Sequence, residues 1–267
     1  HDLIGRVLGV PVSVLLGGTV RTRVPVSVEI AGGPPEGMAE YCRSSMKRGI
    51  RAFKAKIGGI PEDDVERVAA MREAVGPGVS IRADANQGYS VKEAIRFCHL
   101  AEARGLGVDL LEQPVAAWDL DGMAHVRASV DTLIEADESA YSIHDVMNII
   151  RRNAADVINI KIDKAGGLYA AKKIAALAEA AGLKCVLGTA FGLGPEVAAK
   201  LHLAASTVGV VDAVEFTEIL LHENLLVTPV GDSLALPLDD DGCFAVPDGP
   251  GLGIEFDEER LEKFVIR

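Results

Sequence analysis

Lysines and carboxylates alternate with apolar residues in five short segments of this chain: FKAKIGG (53–59), RADANQG (82–88), LLEQPV (110–115), IEADES (134–139) and INIKID (158–163). In an extended strand successive side chains point to opposite faces, so Lys54 and Lys56 share one face while Phe53, Ala55 and Ile57 take the other. Asp84 and Asn86, then Glu112, then Asp137 and Glu138, then Lys161 and Asp163 stand near the ends of the later segments. A single charge of this kind is ordinarily just solvated. Charges at the ends of five consecutive segments, within otherwise apolar sequence, read instead as a set. Carboxylates converging in a dry site repel one another and take up protons unless a cation neutralises them. Oxygen-only ligands favour a hard divalent ion, magnesium or manganese, over zinc.

Such a set needs elements that bring its members to one place. Strand-like runs cover 24–30, 52–58, 79–86, 110–115, 132–139, 157–163, 184–190 and 213–219. Between them lie amphipathic helical patterns such as DDVERVAAMREAV and LYAAKKIAALAEAAG, with glycines near their ends. Alternating strands and helices imply a parallel sheet, and eight such units close most economically into a barrel, with a doubly wound open sheet as the competing arrangement. In a barrel the chemistry lies at the carboxyl ends of the strands, where the charged residues above fall. Residues 1–23 read as a helix and turn before the barrel, 24–225 as the barrel, and 226–267 as a Gly/Pro-rich tail with a short helix DEERLEKF.

Composition narrows the partners. With 49% hydrophobic and 25% charged residues, the 267-residue chain has the make-up of one large globular domain. A net charge of −12 without basic patches argues against nucleic acid and anionic membranes. Cys42, Cys98, Cys185 and Cys243 are scattered without zinc spacing, as expected of reduced thiols in a cytoplasm. No apolar run is long enough to span a membrane and no signal peptide is visible.

FKAKIGG, RADANQGYS, LLEQPV, IEADES and INIKIDKAGG together resemble the enolase superfamily, in its mandelate racemase/muconate lactonizing enzyme family and within that the muconate lactonizing subgroup. The resemblance implies a modified barrel of seven βα units and an eighth strand, and a Mg²⁺ (or Mn²⁺) held by Asp84, Glu112 and Asp137. It further implies Lys56 and Lys161 as acid/base residues on opposite faces of a small carboxylate substrate, with Lys54 helping to hold that carboxylate. The chemistry is consistent. Taking a proton from the carbon next to a carboxylate builds charge that a metal can absorb, and a nearby dication and a second ammonium favour a neutral, basic lysine.

The family also carries an α+β capping domain ahead of the barrel. Residues 1–23 match only its junction with the barrel, so turnover by these 267 residues without a cap is expected to be low. Two segments depart from relatives. GTAFGLG (188–194) lacks the acidic residue of muconate-type members, and VEFTEIL (214–220) lacks the DxD pair of dipeptide epimerases, with Glu215 as the candidate substrate contact and Glu218 facing away. GTAFGLG also lacks the spacing of a phosphate-gripping loop. His99 and His125 read as helix residues, Trp118 as packing, and Lys164 as solvated. Racemization or epimerization of an amino acid derivative leads the expected reactions; dehydration of a hydroxy or imino acid and cycloisomerization follow, with a non-catalytic binding barrel as the competing class. A homo-oligomer is left open.

Overall fold

The computed structural model describes residues 1–192, 194–210, 213–217, 227–229, 236, 238–256 and 262. Helices α1 (Asp2–Leu8) and α2 (Val12–Leu15) lead into β1 (Arg23–Ile30). Helix and strand then alternate: α3 (Pro35–Met46) and β2 (Ala52–Lys56), α4 (Pro61–Val75) and β3 (Ser80–Asp84), α5 (Val91–Ala103) and β4 (Val108–Glu112). The series continues with α6 (Leu120–Ser129) and β5 (Leu133–Ala136), then α7 (Ile143–Arg152) and β6 (Val157–Ile160). The short α8 (Ile162–Ala165) and α9 (Leu168–Ala180) precede β7 (Lys184–Leu187), and α10 (Gly194–Ser206) precedes β8 (Val214–Glu215). The strands β1 to β7 pair in sequence order, and β8 returns to pair parallel with β1. A backbone bond from Cys185 to the Gly209 carbonyl, 2.9 Å, helps bring the chain from β7 to this closure. The result is the expected barrel of eight parallel strands, nearly closed.

Beyond the barrel, β9 (Val227–Pro229) pairs antiparallel with β11 (Ile254–Phe256), and β10 (Cys243–Ala245) pairs antiparallel with the first residues of β1. The expected tail helix at 257–264 lies outside the described residues except for Glu262. Among the described residues no helix is long and apolar enough to cross a membrane.

Local chemistry explains the helix boundaries. Pro61 opens α4, where an N–H would have no partner, and Glu62, Asp63 and Asp64 oppose the helix dipole there. Reciprocal capping boxes start α5 (Ser90, Glu93) and α7 (Ser142, Asp145), and Asn153 ends α7 in the left-handed conformation. Phe53, Ile81, Leu111 and Ile134 join residues of the surrounding helices in one large apolar cluster. Inside the barrel the balance differs. Leu110, Val157 and Val186 form a small separate apolar group, while Ser27, Lys54, Arg82, Glu112, Glu135, Asn159 and Glu215 are buried polar residues of the strands. A parallel barrel usually fills this space with branched apolar side chains. A polar filling is costly unless its members pair, and so most of them do.

Candidate active site

Register sets the heights of the side chains. Lys56 is the strand partner of Asp84, Asp84 of Glu112, and Glu112 of Glu135. Asp137 lies two residues beyond Glu135 and therefore on the same inward face. Strand β6 stops at Ile160, sooner than expected, so Lys161 caps a single helical turn rather than continuing a strand. Lys56, Asp84, Glu112, Asp137 and Lys161 are thereby brought to the carboxyl end of the barrel.

There the charges interlock. Lys56 Nζ lies 2.6 Å from Asp84 Oδ2 and 3.4 Å from Glu29 Oε1, and Lys161 Nζ lies 2.6 Å from Asp137 Oδ2. Asn86 N–H donates to Asp84 Oδ1 at 2.9 Å, and Asn159 Nδ2 donates to Glu112 Oε1 at 2.9 Å. Burial opposes the charge of Asp137, but Lys164 and Lys161 outweigh it and hold the carboxyl well below its ordinary range. Glu112 is displaced the other way: burial and the neighbouring Asp84 raise it well above the usual carboxylate value despite Lys54. Burial and the Lys54 ammonium oppose charge on Lys56, yet Asp84 and Glu29 leave its pKa raised; Asp137 likewise overcomes burial at Lys161. Each ammonium is paired with a carboxylate here, which keeps both pKa values raised; the expected lowering depends on a dication drawing those carboxylates away.

Lys54 and Glu215 also differ from expectation. Two residues back along β2, Lys54 sits one pleat deeper than Lys56, with its side chain only 1% exposed. Its ammonium lies 2.8 Å from Glu29 Oε1, 2.8 Å from Glu112 Oε2 and 2.7 Å from Glu215 Oε1. Glu215 is fully buried beside it. As arranged, both belong to the barrel interior and neither offers an open contact to a substrate. Lys164, expected to be solvated, is folded back by α8: its ammonium donates to the Asp137 and Asn159 carbonyls at 2.7 and 3.0 Å and to Asp137 Oδ1. Trp118, expected to pack, is 84% exposed. Glu218 lies outside the described residues. Glu29 and Asn159 were not singled out in the sequence, although each alternates with a residue already chosen or lies one strand away from it; period-two reading of β1 and β6 would have found them.

A clamp steadies the loops that follow Lys56 and Asp84. The buried Asp64 accepts from Gly58 N–H (3.1 Å), Gly59 N–H (2.9 Å) and Tyr89 O–H (2.6 Å), and also pairs with Arg67. Gly58, at φ +105, lets the two loops touch: a Cβ there would meet the Ala85 carbonyl oxygen at 2.5 Å. Asp64→Asn is expected to cost about 1.5–3 kcal/mol, the range for buried bonds to a charged group. Urea titration checks this, and a change below about 0.5 kcal/mol would show the clamp to be dispensable.

The donor chemistry at the barrel mouth suits a hard divalent ion. Asp84, Glu112 and Asp137 supply oxygen only, come from neighbouring strands, and include a carboxyl raised by burial and by its neighbour's charge, which a cation would offset. As arranged, ammonium and N–H groups already engage these oxygens, and among the described residues no three His, Cys, Asp or Glu side chains stand together as a ready cage. An ion would take over contacts now made by the lysines.

A nearly closed eight-stranded parallel barrel with paired lysines and carboxylates at its carboxyl mouth defines an enolase-type barrel. The chain belongs to the enolase C-terminal domain-like family, which matches residues 37–260. It is 38% identical over 255 residues to the L-Ala-D/L-Glu epimerase of Clostridium acetobutylicum, covering 96% of this chain and 69% of the relative. It is 37% identical over 267 residues to muconate cycloisomerase 1-1 of Acinetobacter lwoffii, covering 98% and 67%. Among solved structures, a dipeptide epimerase from Cytophaga hutchinsonii, complexed with Mg and the dipeptide D-Ala-L-Val, superimposes with a TM-score of 0.90 at 29% identity, covering 98% of this chain and 69% of that one.

Proposed function

We propose that this chain moves a proton at the carbon next to a carboxylate, as a racemase or epimerase of an amino acid derivative. The observation that carries this reading is the disposition of the lysines. Strands β2 and β6 stand opposite one another in an eight-stranded barrel, and Lys56 and Lys161 have side chains 29% and 20% exposed at the mouth, against 1% for Lys54 and 6% for Lys164. A substrate between them meets one amine on each side. One lysine enters as the free amine and takes the proton, while the other, as ammonium, gives one back on the opposite side; their protonation states are exchanged when the other isomer is the product. Asp84, Glu112 and Asp137 would hold Mg²⁺, which offsets negative charge building on the substrate carboxylate.

The adjoining pocket favours an amino acid derivative with an apolar group. A cavity of about 430 Å³ next to Lys56 is walled by Ile30, Pro34, Met38, Tyr41 and Phe191, with Glu29 at its edge. An apolar substituent gains by burial there, and a second carboxylate would meet Glu29. The similarity to an epimerase named for Ala-Glu dipeptides supports the same class of reaction.

The test is incubation in deuterated water with Mg²⁺ across a panel of dipeptides and N-acyl amino acids, using a chain that carries any capping segment. Deuterium is expected at the α-carbon from either isomer. Loss of hydroxyl or ring closure without such exchange would overturn the reading in favour of a dehydratase or cycloisomerase. Metal binding has its own readout. Mg²⁺ at a hundred times its dissociation constant is expected to stabilise the fold by about 2.7 kcal/mol. Calorimetry of Asp84→Asn and Asp137→Asn should show that gain lost; an unchanged gain in both would remove these residues from the metal site.

A further inference from the structure

We propose that the opposite, amino-terminal mouth of the barrel binds a small organic anion, a carboxylate or phosphate carried on an apolar body. A cavity of about 750 Å³ opens there, lined mostly by residues at or near the starts of the strands, at the end away from the lysine–carboxylate mouth. Its size lies within the roughly 300–1,000 Å³ common for small-molecule sites. Ala52, Leu110, Leu133 and Val157 give it apolar walls.

At its inner end stands Arg82. The residue is 5% exposed and inward-facing on β3, two residues deeper than Ser80. Its Nη2 donates to the Ala213 carbonyl at 3.1 Å, whereas Nη1 is buried without a hydrogen-bond partner. An unmade bond on a buried guanidinium is costly, and a small turn of the side chain toward the cavity would present its planar donor pair to a carboxylate or phosphate. Two further cations, Arg51 and Lys184, line the same cavity and are exposed at its outer part. Of the two acidic residues in the lining, Asp241 pairs with Arg23 at 2.8 Å, whereas Asp109 accepts from Ser80 Oγ at 2.6 Å and keeps its charge. Three cations against one acid without a cationic partner leave the lining net positive, and in a chain of net charge −12 such a cavity selects an anion. Glu135, also inward-facing and buried, lies on β5 between this level and that of Asp137; neither of its oxygens has a hydrogen-bond partner, and its charge interacts with that of Arg82.

The test uses 4-bromobenzoate and phenyl phosphate with the full chain. Calorimetric titration is expected to give saturable binding of at least one, the tighter naming the source of the anion, and anomalous scattering should place the bromine in the amino-terminal cavity. Arg51→Glu with Lys184→Glu, both exposed, should weaken binding about tenfold without unfolding the barrel. Arg82→Met should weaken it about 30-fold or more if it folds. Three results would each overturn the proposal: no saturable binding of either probe, bromine found only at the lysine–carboxylate mouth, or affinity unchanged in the Arg51→Glu/Lys184→Glu variant.

Discussion

Lys161→Ala and Lys56→Ala are each expected to lower inversion of a confirmed substrate by about 10²–10⁴-fold, the range for loss of a positioned acid or base. Their residual chemistry should differ. Each variant keeps one amine on one side of the substrate, so each should still exchange the α-proton of one isomer with solvent deuterium and not that of the other. The preferred isomer should be opposite in the two variants. This pattern separates proton transfer between two sides from general damage, because a misfolded mouth would lose exchange of both isomers together. Asp84 and Asp137 each lose a lysine partner in these variants, so circular dichroism and melting should accompany the kinetics. Full inversion activity in both variants would remove these lysines from the proton path.

Lys54→Met is expected to destabilise the fold by about 3–5 kcal/mol, the cost of breaking a buried ion pair and leaving its partner charged. The ammonium at position 54 is shared by Glu29, Glu112 and Glu215, and its removal leaves these carboxylates crowded with too little positive charge. Adding Glu215→Gln should recover part of the loss, since one of the stranded charges is then gone, and the double-mutant cycle measures the coupling. A loss below about 1 kcal/mol for Lys54→Met would mean that the carboxylates simply take up protons, with little cost to the fold. The same position tests the substrate role first expected of it. If Lys54 acts only within the barrel interior, the more conservative Lys54→Arg should change stability more than substrate affinity.

Five of the charged segments were legible before any fold was known, because a strand's two-residue alternation and the repeated strand–helix pattern are properties of local sequence. From these follow the parallel barrel, the placing of a site at its carboxyl ends and the resemblance carried by KxK, DAN, EQP, ADES and NIK. Boundaries were less legible: β3, β5 and β6 end sooner than their apolar patterns suggest, since pairing with neighbouring strands, not local propensity, decides where a strand stops. Alternation tells which residues share a face, but not how deep each lies in a closed barrel or which partner it meets there. Only the tertiary structure decided that Lys54 and Glu215 are buried together, that a single turn folds Lys164 back onto Asp137, and that Arg82 faces a second cavity. Those outcomes depend on contacts between residues up to 161 positions apart, brought together by closure of the sheet, and local sequence carries no record of such distances.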